Sequence, residues 1–157
     1  MKKINAVITG ISACVPDYIL NNDEISKMVD TSDEWITTRV GIKERHILKG
    51  KNKGISELGT PAVADLLRKT GTKAEEIDAV IFATSTPDHI FPSAASIVAE
   101  ANGIKNAFCF DMEAACSGFI FGLEVCNNNL PSLGCKYTVP FHFWIRGLQR
   151  THSFGTI

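Results

Sequence analysis

The sequence predicts an α/β layered domain with a largely parallel central sheet. Strand-like apolar segments alternate along the chain with segments of helical spacing, an order typical of parallel sheets. The segment 79–84 is apolar almost throughout, as strands covered on both faces are. A chain of 157 residues is one domain in length and long enough to bury a sizeable core.

Composition narrows the class of protein. Hydrophobic residues make up 45% of the chain and charged residues 21%, which is usual for a globular protein. A net charge of -1 gives no electrostatic footprint for nucleic acid or an anionic membrane. The N-terminus lacks a signal-peptide pattern, and the apolar runs are too short to cross a bilayer. The cysteines form no C-x-x-C pair and are odd in number, which predicts reduced thiols in the cytoplasm and no zinc site.

The first fifty residues predict one strand and two short helices. Residues 4–11 have the pattern of a buried strand. Acidic residues at 23 and 24 open a helix that runs to about residue 29. Residues 31–34 have the capping-box pattern and open a second helix, which runs to about Val40 and ends at Gly41. Residues 43–47 are charged and extended.

The middle of the chain predicts a helix, a strand and another helix. Apolar spacing indicates a helix over residues 56–70, with Gly71 as its stop. Pro61 is awkward in a helix that begins at Ser56, but it suits the first helical position if Thr60 is the cap. The strand 79–84 follows, and then a helix over 93–102 that ends at Gly103.

A possible nucleophile lies where the next strand gives way to a helix. Residues 107–110 have the pattern of a buried strand, and residues 114–126 that of a buried helix. Cys116 lies near the switch among small neighbours, where an acyl group can approach the sulfur and first-turn amides can stabilise a thiolate. This pattern is typical of a nucleophilic cysteine. The alternative is a small hydrophobic residue in the core, as buried cysteines usually are.

The character of the chain changes after Asn128. All 17 acidic residues lie at or before Glu124. The segment 129–157 is basic and aromatic and has no clear period, apart from one possible short strand over residues 136–139, before Pro140. A nucleic-acid or membrane arm would fit this composition, but three basic residues are too few for the electrostatic attraction that such binding requires.

Four segments of the chain form specific motifs: MVDTSDEWITTRVGI (28–42), ERHI (44–47), FPSAA (91–95) and FDMEAACSGF (110–119). Together they resemble β-ketoacyl-acyl carrier protein synthase III, the initiating condensing enzyme of bacterial fatty acid synthesis. The resemblance runs in order from about residue 4 to residue 128. It implies that residues 1–128 form part of the N-terminal half of a thiolase-like layered fold, and that residues 129–157 are an aberrant tail of the kind that a frameshift produces.

The resemblance implies roles for five residues. Cys116 takes the acetyl or short acyl group from an acyl-coenzyme A primer. Trp35 packs on the adenine of coenzyme A, with Arg39 beside it and Thr31 at the same site. Phe91 reaches across the interface of a homodimer to line the partner's acyl pocket. If the resemblance is set aside, the residues alone favour simpler interpretations. Trp35 would be a core residue, Arg39 a solvated charge and Phe91 an ordinary aromatic residue in a loop.

The resemblance also implies a reaction. The family carries out a decarboxylating Claisen condensation with malonyl-acyl carrier protein, by a ping-pong route through an acyl-cysteine. Coenzyme A enters as a thioester substrate, and no cofactor or metal is expected. A histidine and an asparagine from the family's second half support the charge that develops on oxygen. His89, His142 and His152 stand in no matching motif.

We therefore expect a truncated chain that is inactive alone in the condensation. One alternative is an inert fragment that only binds coenzyme A or pairs with another chain. The other is a different thiolase-fold acyltransferase, such as a polyketide or quinolone synthase relative.

Overall fold

A computed structural model of the chain describes residues 7–51, 53–129, 135 and 137–142. The chain divides into two compact units. Among the described residues, the first unit contains residues 7–15 and those from 50 to 142, and the second contains residues 16–49.

The first unit is built on a three-stranded parallel sheet. Its strands are β3 (Ala79–Ala83), β4 (Phe108–Met112) and β5 (Thr138–His142), in the order β4-β3-β5. Both neighbours run parallel to β3, with Ala79 opposite Phe108 on one side and Thr138 on the other. All five residues of β3 are buried, as its continuously apolar sequence predicts.

Three α-helices accompany this sheet: α3 (Ser56–Thr70), α4 (Ala94–Ala101) and α5 (Gly118–Glu124). Short 3₁₀ turns span Ala74–Glu76 and Ala115–Ser117, and a π-turn spans Val125–Asn129. The main apolar core joins β3 to α3 and α4 through fully buried side chains, among them Val63, Val80, Phe82 and Val98. Among the described residues, no helix combines the length and apolar character needed to span a membrane.

The first residue of α3 shows which of the two predicted positions Pro61 occupies in the helix. The helix begins at Ser56, so Pro61 lies inside it rather than at its first position. Ile55 offers no side-chain cap. The carboxylate of Asp88 takes that role from a distant loop, because it accepts hydrogen bonds from the backbone N–H groups of Ile55 and Ser56, the latter at 3.1 Å.

The second unit contains a two-stranded antiparallel sheet and two helices. Strand β1 (Ile19–Asn21) pairs with β2 (Glu44–His46), and the helices are α1 (Asn22–Ser26) and α2 (Asp33–Val40). Ser32 caps α2 by accepting a hydrogen bond from the N–H of Trp35 at 3.0 Å. Gly41 ends the helix at φ +69°, the left-handed conformation that a C-cap glycine adopts readily. The predicted bounds of α2 are therefore confirmed.

Three sequence predictions about buried elements are wrong. Residues 7–11 form no strand, and Val7 and Ile11 are each 79% exposed; residues 4–6 lie outside the described residues. The predicted buried helix 114–126 is split between a 3₁₀ turn, α5 and part of the π-turn, and Phe119–Phe121 stand exposed. Strand β4 is only half-buried, because it is an edge of the described sheet.

Strand β5 lies within the segment predicted to be an aberrant tail. It begins two residues later than the short strand expected over residues 136–139 and continues through Pro140. Proline is tolerated here because β5 has a neighbour on one side only in the described sheet. The residues beyond 142 lie outside the described part of the chain.

The contact between α3 and the core predicts a costly substitution at Gly59. A Cβ atom at this position would lie 2.8 Å from side-chain atoms of both Phe82 and Val98, which are fully buried. We expect Gly59→Ala to lower the free energy of unfolding by about 1–3 kcal/mol through overpacking. Urea unfolding followed by far-UV circular dichroism measures the change.

Gly122→Ala is the matched control. A Cβ on Gly122 of α5 would lie 3.8 Å from Pro140, an ordinary contact, so alanine should be neutral or gain up to about 1 kcal/mol in helix propensity. Equal effects of the two substitutions would contradict the close approach at Gly59.

Candidate functional site

Cys116 lies on the turn that joins β4 to α5. The strand ends at Met112, the 3₁₀ turn spans Ala115–Ser117, and α5 begins at Gly118. Within the turn, the N–H of Ser117 donates to the carbonyl oxygen of Ala114 at 2.9 Å. Cys116 is exposed, so its sulfur is open to a substrate, which disagrees with a role as a small core residue.

The residue before Cys116 has an unusual backbone conformation. Ala115 has φ +42°, and it is the only non-glycine residue with positive φ in the described part of the chain. Left-handed backbone is unfavourable for a residue with a Cβ atom, and residues held in it are concentrated at active sites. Cys116 therefore lies on a tight turn between strand and helix, a position that nucleophilic residues often occupy.

Asp111 anchors the strand from which this turn departs. One carboxylate oxygen accepts from the N–H of Ala94 at 2.8 Å, and the other accepts from the N–H of Ala95 at 2.9 Å. These are first-turn amides of α4, which have no partner within their own helix. Since the negative charge also faces the positive end of the helix dipole, the contact fixes the end of β4 against α4.

The buried face of α5 consists of two glycines. Gly118 and Gly122 are the two buried residues of this helix, and they are four positions apart on one face. A Cβ atom on Gly122 would lie 3.8 Å from Pro140 of β5, an ordinary van der Waals contact. The larger residues Phe119–Phe121 point away from this contact and are exposed.

Three other cysteines of the first unit, Cys109, Cys126 and Cys135, are poor nucleophiles. Burial raises the pKa of the Cys109 thiol, and the nearby charge of Asp111 raises it further. Burial likewise raises the pKa of Cys126, which is 8% exposed, and that of Cys135. At neutral pH these thiols are therefore held in the unreactive protonated form.

In the second unit, Trp35 and Arg39 form a stacked pair on α2. They are one turn apart, and the guanidinium carbon of Arg39 lies 4.3 Å from the centroid of the indole ring. Trp35 is 53% exposed, so it is not a core residue. The residue of α2 that is buried is Ile36. The pair offers an exposed aromatic surface and a cation, which suit a purine and a phosphate respectively.

The remaining predicted residues lie on connecting segments. Thr31 is half-buried and precedes the Ser32 cap of α2. Phe91 lies in the loop before α4 and is 90% exposed, next to Ile90, which is fully exposed. The second unit thus brings together Thr31, Trp35 and Arg39, whereas Phe91 and Cys116 belong to the first unit.

Sequence reasoning assigned no role to two residues that hold these segments in place. One is Asp111, whose signal is an acidic residue in an otherwise apolar strand. The other is Asn22, a buried polar residue at the start of α1. Its signal is weaker, because a pair of asparagines before a helix usually indicates only a cap.

Comparison with known proteins assigns this fold to a class. No protein-family model matches the chain. Over 132 residues the chain is 56% identical to β-ketoacyl-[acyl-carrier-protein] synthase III 2 of Bacteroides thetaiotaomicron. The aligned region covers 84% of this chain and 39% of that protein. The crystal structure of 3-oxoacyl-[acyl-carrier-protein] synthase III from Aquifex aeolicus superimposes with a TM-score of 0.78 at 42% identity, over 83% of this chain and 42% of that one.

A third likeness lies outside fatty acid synthesis. The priming β-ketosynthase from the R1128 polyketide biosynthetic pathway superimposes with a TM-score of 0.76 at 31% identity, over 82% of this chain and 38% of that one. The fold is therefore that of the thiolase-like condensing enzymes. Within that class, the chain belongs to the β-ketoacyl-[acyl-carrier-protein] synthase III family over the region that the comparisons cover. It spans about two-fifths of the length of the relatives that it matches.

The different environments of the cysteines predict an order of alkylation. We expect limited iodoacetamide at pH 7.5 to modify Cys116 before Cys109 and Cys126, because Cys116 is exposed while burial keeps the other two thiols protonated. Since burial raises the pKa values of Cys109 and Cys126 above the ordinary 9.0, the rates at which they are labelled should still be rising with pH above 9.0, where an ordinary thiol levels off. Peptide mapping by mass spectrometry measures the order, and early labelling of Cys126 would contradict it.

The Asp111 contact predicts a coupled change in stability and in thiol reactivity. Asp111→Asn keeps the shape but removes the charge and one of two acceptors, so we expect a loss of about 1–2 kcal/mol in the free energy of unfolding. The pKa of Cys109 should fall, because the charge that helps to raise it is gone. Its alkylation profile should then shift to lower pH.

Glu113→Gln is the control for this experiment, since Glu113 is an exposed acidic residue two positions further along the chain. It should change neither quantity. The anchoring role of Asp111 is wrong if both substitutions have the same effect on stability.

Proposed function

We propose that this chain carries out the acyl-accepting step of a synthase III: Cys116 takes a short acyl group from an acyl-coenzyme A. The thiolate sulfur attacks the thioester carbonyl carbon and forms a new carbon–sulfur bond. The bond to the coenzyme sulfur breaks, and coenzyme A leaves as its thiolate and takes up a proton from water. The observation that carries the proposal is the exposed cysteine after the left-handed residue Ala115, at the junction of strand and helix.

The second unit supplies the proposed coenzyme site. In the free chain the guanidinium of Arg39 covers the indole of Trp35 at 4.3 Å, and half of the Trp35 side chain remains exposed. An adenine ring can stack on the indole, while the Arg39 guanidinium pairs with a phosphate or stacks in turn. Thr31, at the start of the same helix, belongs to the proposed site. Base stacking on an aromatic side chain contributes about 1–3 kcal/mol.

The condensation with malonyl-acyl carrier protein is proposed for the intact family enzyme rather than for this chain alone. That step requires donors that stabilise the negative charge developing on the thioester oxygen. In the family a histidine and an asparagine from the second half have this role, and the resemblance assigns neither to a residue of this sequence. We accordingly propose the first half-reaction for this chain, in the cytoplasm and without a metal or other cofactor.

Phe91 supports a second element of the proposal, a homodimer. Ile90 and Phe91 together expose two large apolar side chains on one loop, which is costly in water. In the proposed dimer, Phe91 enters the acyl pocket of the partner subunit.

The alternative function is the loading of a primer in polyketide synthesis. The structural likeness to a priming β-ketosynthase of polyketide synthesis, at 31% identity, supports a chain that loads a primer for a polyketide instead. The acyl-cysteine chemistry is the same in both cases. The two functions differ in the carrier protein that the enzyme recognises as the acceptor of the acyl group.

Transfer of radioactive acetyl groups tests the proposed step. We expect the chain to take up label from acetyl-coenzyme A, and Cys116→Ala to remove it. Trp35→Ala should raise the half-saturating concentration of acetyl-coenzyme A about tenfold, because the adenine loses its stacking surface. Acetyl-pantetheine has no adenine, so its weaker reaction should not respond to Trp35→Ala.

The same preparation tests the limit of the reaction. With malonyl-acyl carrier protein we expect no acetoacetyl product, because losing one oxyanion donor alone costs about a hundred- to a thousandfold in rate. Chromatography of the carrier-bound products measures this. Formation of acetoacetyl-carrier that Cys116→Ala abolishes would contradict the restriction to the first half-reaction, and label that persists in Cys116→Ala would exclude Cys116 as the acceptor.

A further inference from the structure

Helix α2, which carries the proposed coenzyme site, has little apolar packing to hold it. Its one buried residue is Ile36, whose burial contributes about 1.5–3 kcal/mol. A helix of eight residues is not stable by itself in water. The exposed pair Trp35 and Arg39 adds stacking within the helix, and the contacts of these two side chains with described residues lie within α2. Some other interaction must therefore fix where α2 lies in the second unit.

The side chain of Asn22 makes that interaction. It is 2% exposed, and its amide nitrogen donates to Asp33 Oδ1 at 2.7 Å and to the carbonyl oxygen of Ile42 at 2.8 Å. Asp33 is the first residue of α2, and Ile42 follows the C-cap Gly41. One amide group thus holds the chain at the beginning of α2 and again just past its end.

The other side of the same amide is also occupied. Its oxygen accepts a hydrogen bond from Arg45 Nη1 at 2.7 Å, and Arg45 belongs to β2. Asn22 is therefore bonded to three different segments, with both donors and its acceptor satisfied. Buried networks that are fully satisfied in this way favour one arrangement, because any shift leaves a polar group without a partner.

Asp33 extends the network to the surface. Its carboxylate also accepts from Lys43 Nζ at 2.8 Å and from Thr37 Oγ1 at 3.2 Å. The hydrogen bond from Lys43, followed by that from Asn22, holds the pKa of Asp33 below its ordinary value. The carboxylate is thus kept in the ionised form, which accepts these bonds best.

We infer that Asn22 is a positioning residue for coenzyme binding: through its bonds to Asp33, Ile42 and Arg45 it holds α2 in the placement that presents Trp35 and Arg39. The inference rests on the proposed function of that pair. Asn22 itself need not touch the coenzyme. Its effect is on affinity and on the surroundings of the Trp35 indole, and not on the chemistry at Cys116.

The decisive variant is Asn22→Asp, made in the full chain with Trp144→Phe so that Trp35 is the one tryptophan. It removes both donors and places a second carboxylate against Asp33. We expect this variant to bind coenzyme A about tenfold more weakly than its parent does. Quenching of Trp35 fluorescence measures the binding. The near-UV circular dichroism of Trp35 in the free chain should change as well.

Rescue separates a specific bond from general damage. In the double variant Asn22→Asp with Asp33→Asn, the new amide at position 33 can donate to the new carboxylate, and Arg45 gains a charged partner. It should recover most of the affinity and of the Trp35 signal. Asn21→Ala is the matched control: it removes the cap of α1, at a cost of about 1 kcal/mol, without touching α2. Its affinity should stay within about twofold of the parent.

The outcomes are distinguishable. A folded Asn22→Asp with parental affinity and an unchanged Trp35 spectrum overturns the inference, and so does a double variant no better than the single one. If Asn22→Asp does not fold, Arg45→Gln, which loses the bond to Asn22, is judged by the same two measurements. If the parent chain itself does not bind coenzyme A, the proposed coenzyme site is wrong, and the Trp35 spectra of the free variants still decide whether Asn22 positions α2.

Discussion

The first unit depends on the contact between Asp111 and the start of α4. A carboxylate that accepts from the N–H groups of Ala94 and Ala95 neutralises the end of a helix and fixes the end of a strand in one interaction. The turn to Cys116 leaves β4 one residue later, at Met112. A cysteine on a tight turn can only be held in a defined direction if the strand before the turn does not move, so the anchor is a condition for the presentation of Cys116.

Long-range polar contacts take the place of a local cap at α3 and add to the local caps of α2 and α4. Asp88 serves the start of α3, Asp111 serves α4, and Asn22 serves both ends of α2. Each joins segments that are distant along the sequence, so each defines tertiary placement as well as helix stability. The apolar core fixes β3, α3 and α4 in general terms, while these polar groups select one arrangement of the segments that carry the candidate site.

The parts of the fold that the sequence predicts are those whose signal is local. The capping pattern before Trp35, the glycine at residue 41 and the apolar run of β3 each describe their own element. The predicted end of α2 at Val40 is confirmed, and β3 ends one residue before its predicted end. The predictions that fail concern burial, since burial depends on what lies alongside. Residues 7–11 and Phe119–Phe121 are apolar yet exposed, because nothing in the described residues covers them. The anchoring roles of Asp111 and Asn22 were missed for the same reason, since their partners are far along the chain.

The exposure of Cys116 affects the two proposed half-reactions differently. Acyl transfer to a thiolate tolerates water, because a thiolate is far more nucleophilic toward a thioester than water is at neutral pH. Condensation passes through a carbanion, which water protonates, so it requires a site that is dry and lined with fixed donors. A turn that leaves Cys116 in contact with solvent, beside exposed side chains of α5, meets the first requirement and not the second. The arrangement of the described residues therefore suits an acyl acceptor, and condensation requires in addition a cover over this side of α5 that excludes water and brings the donors.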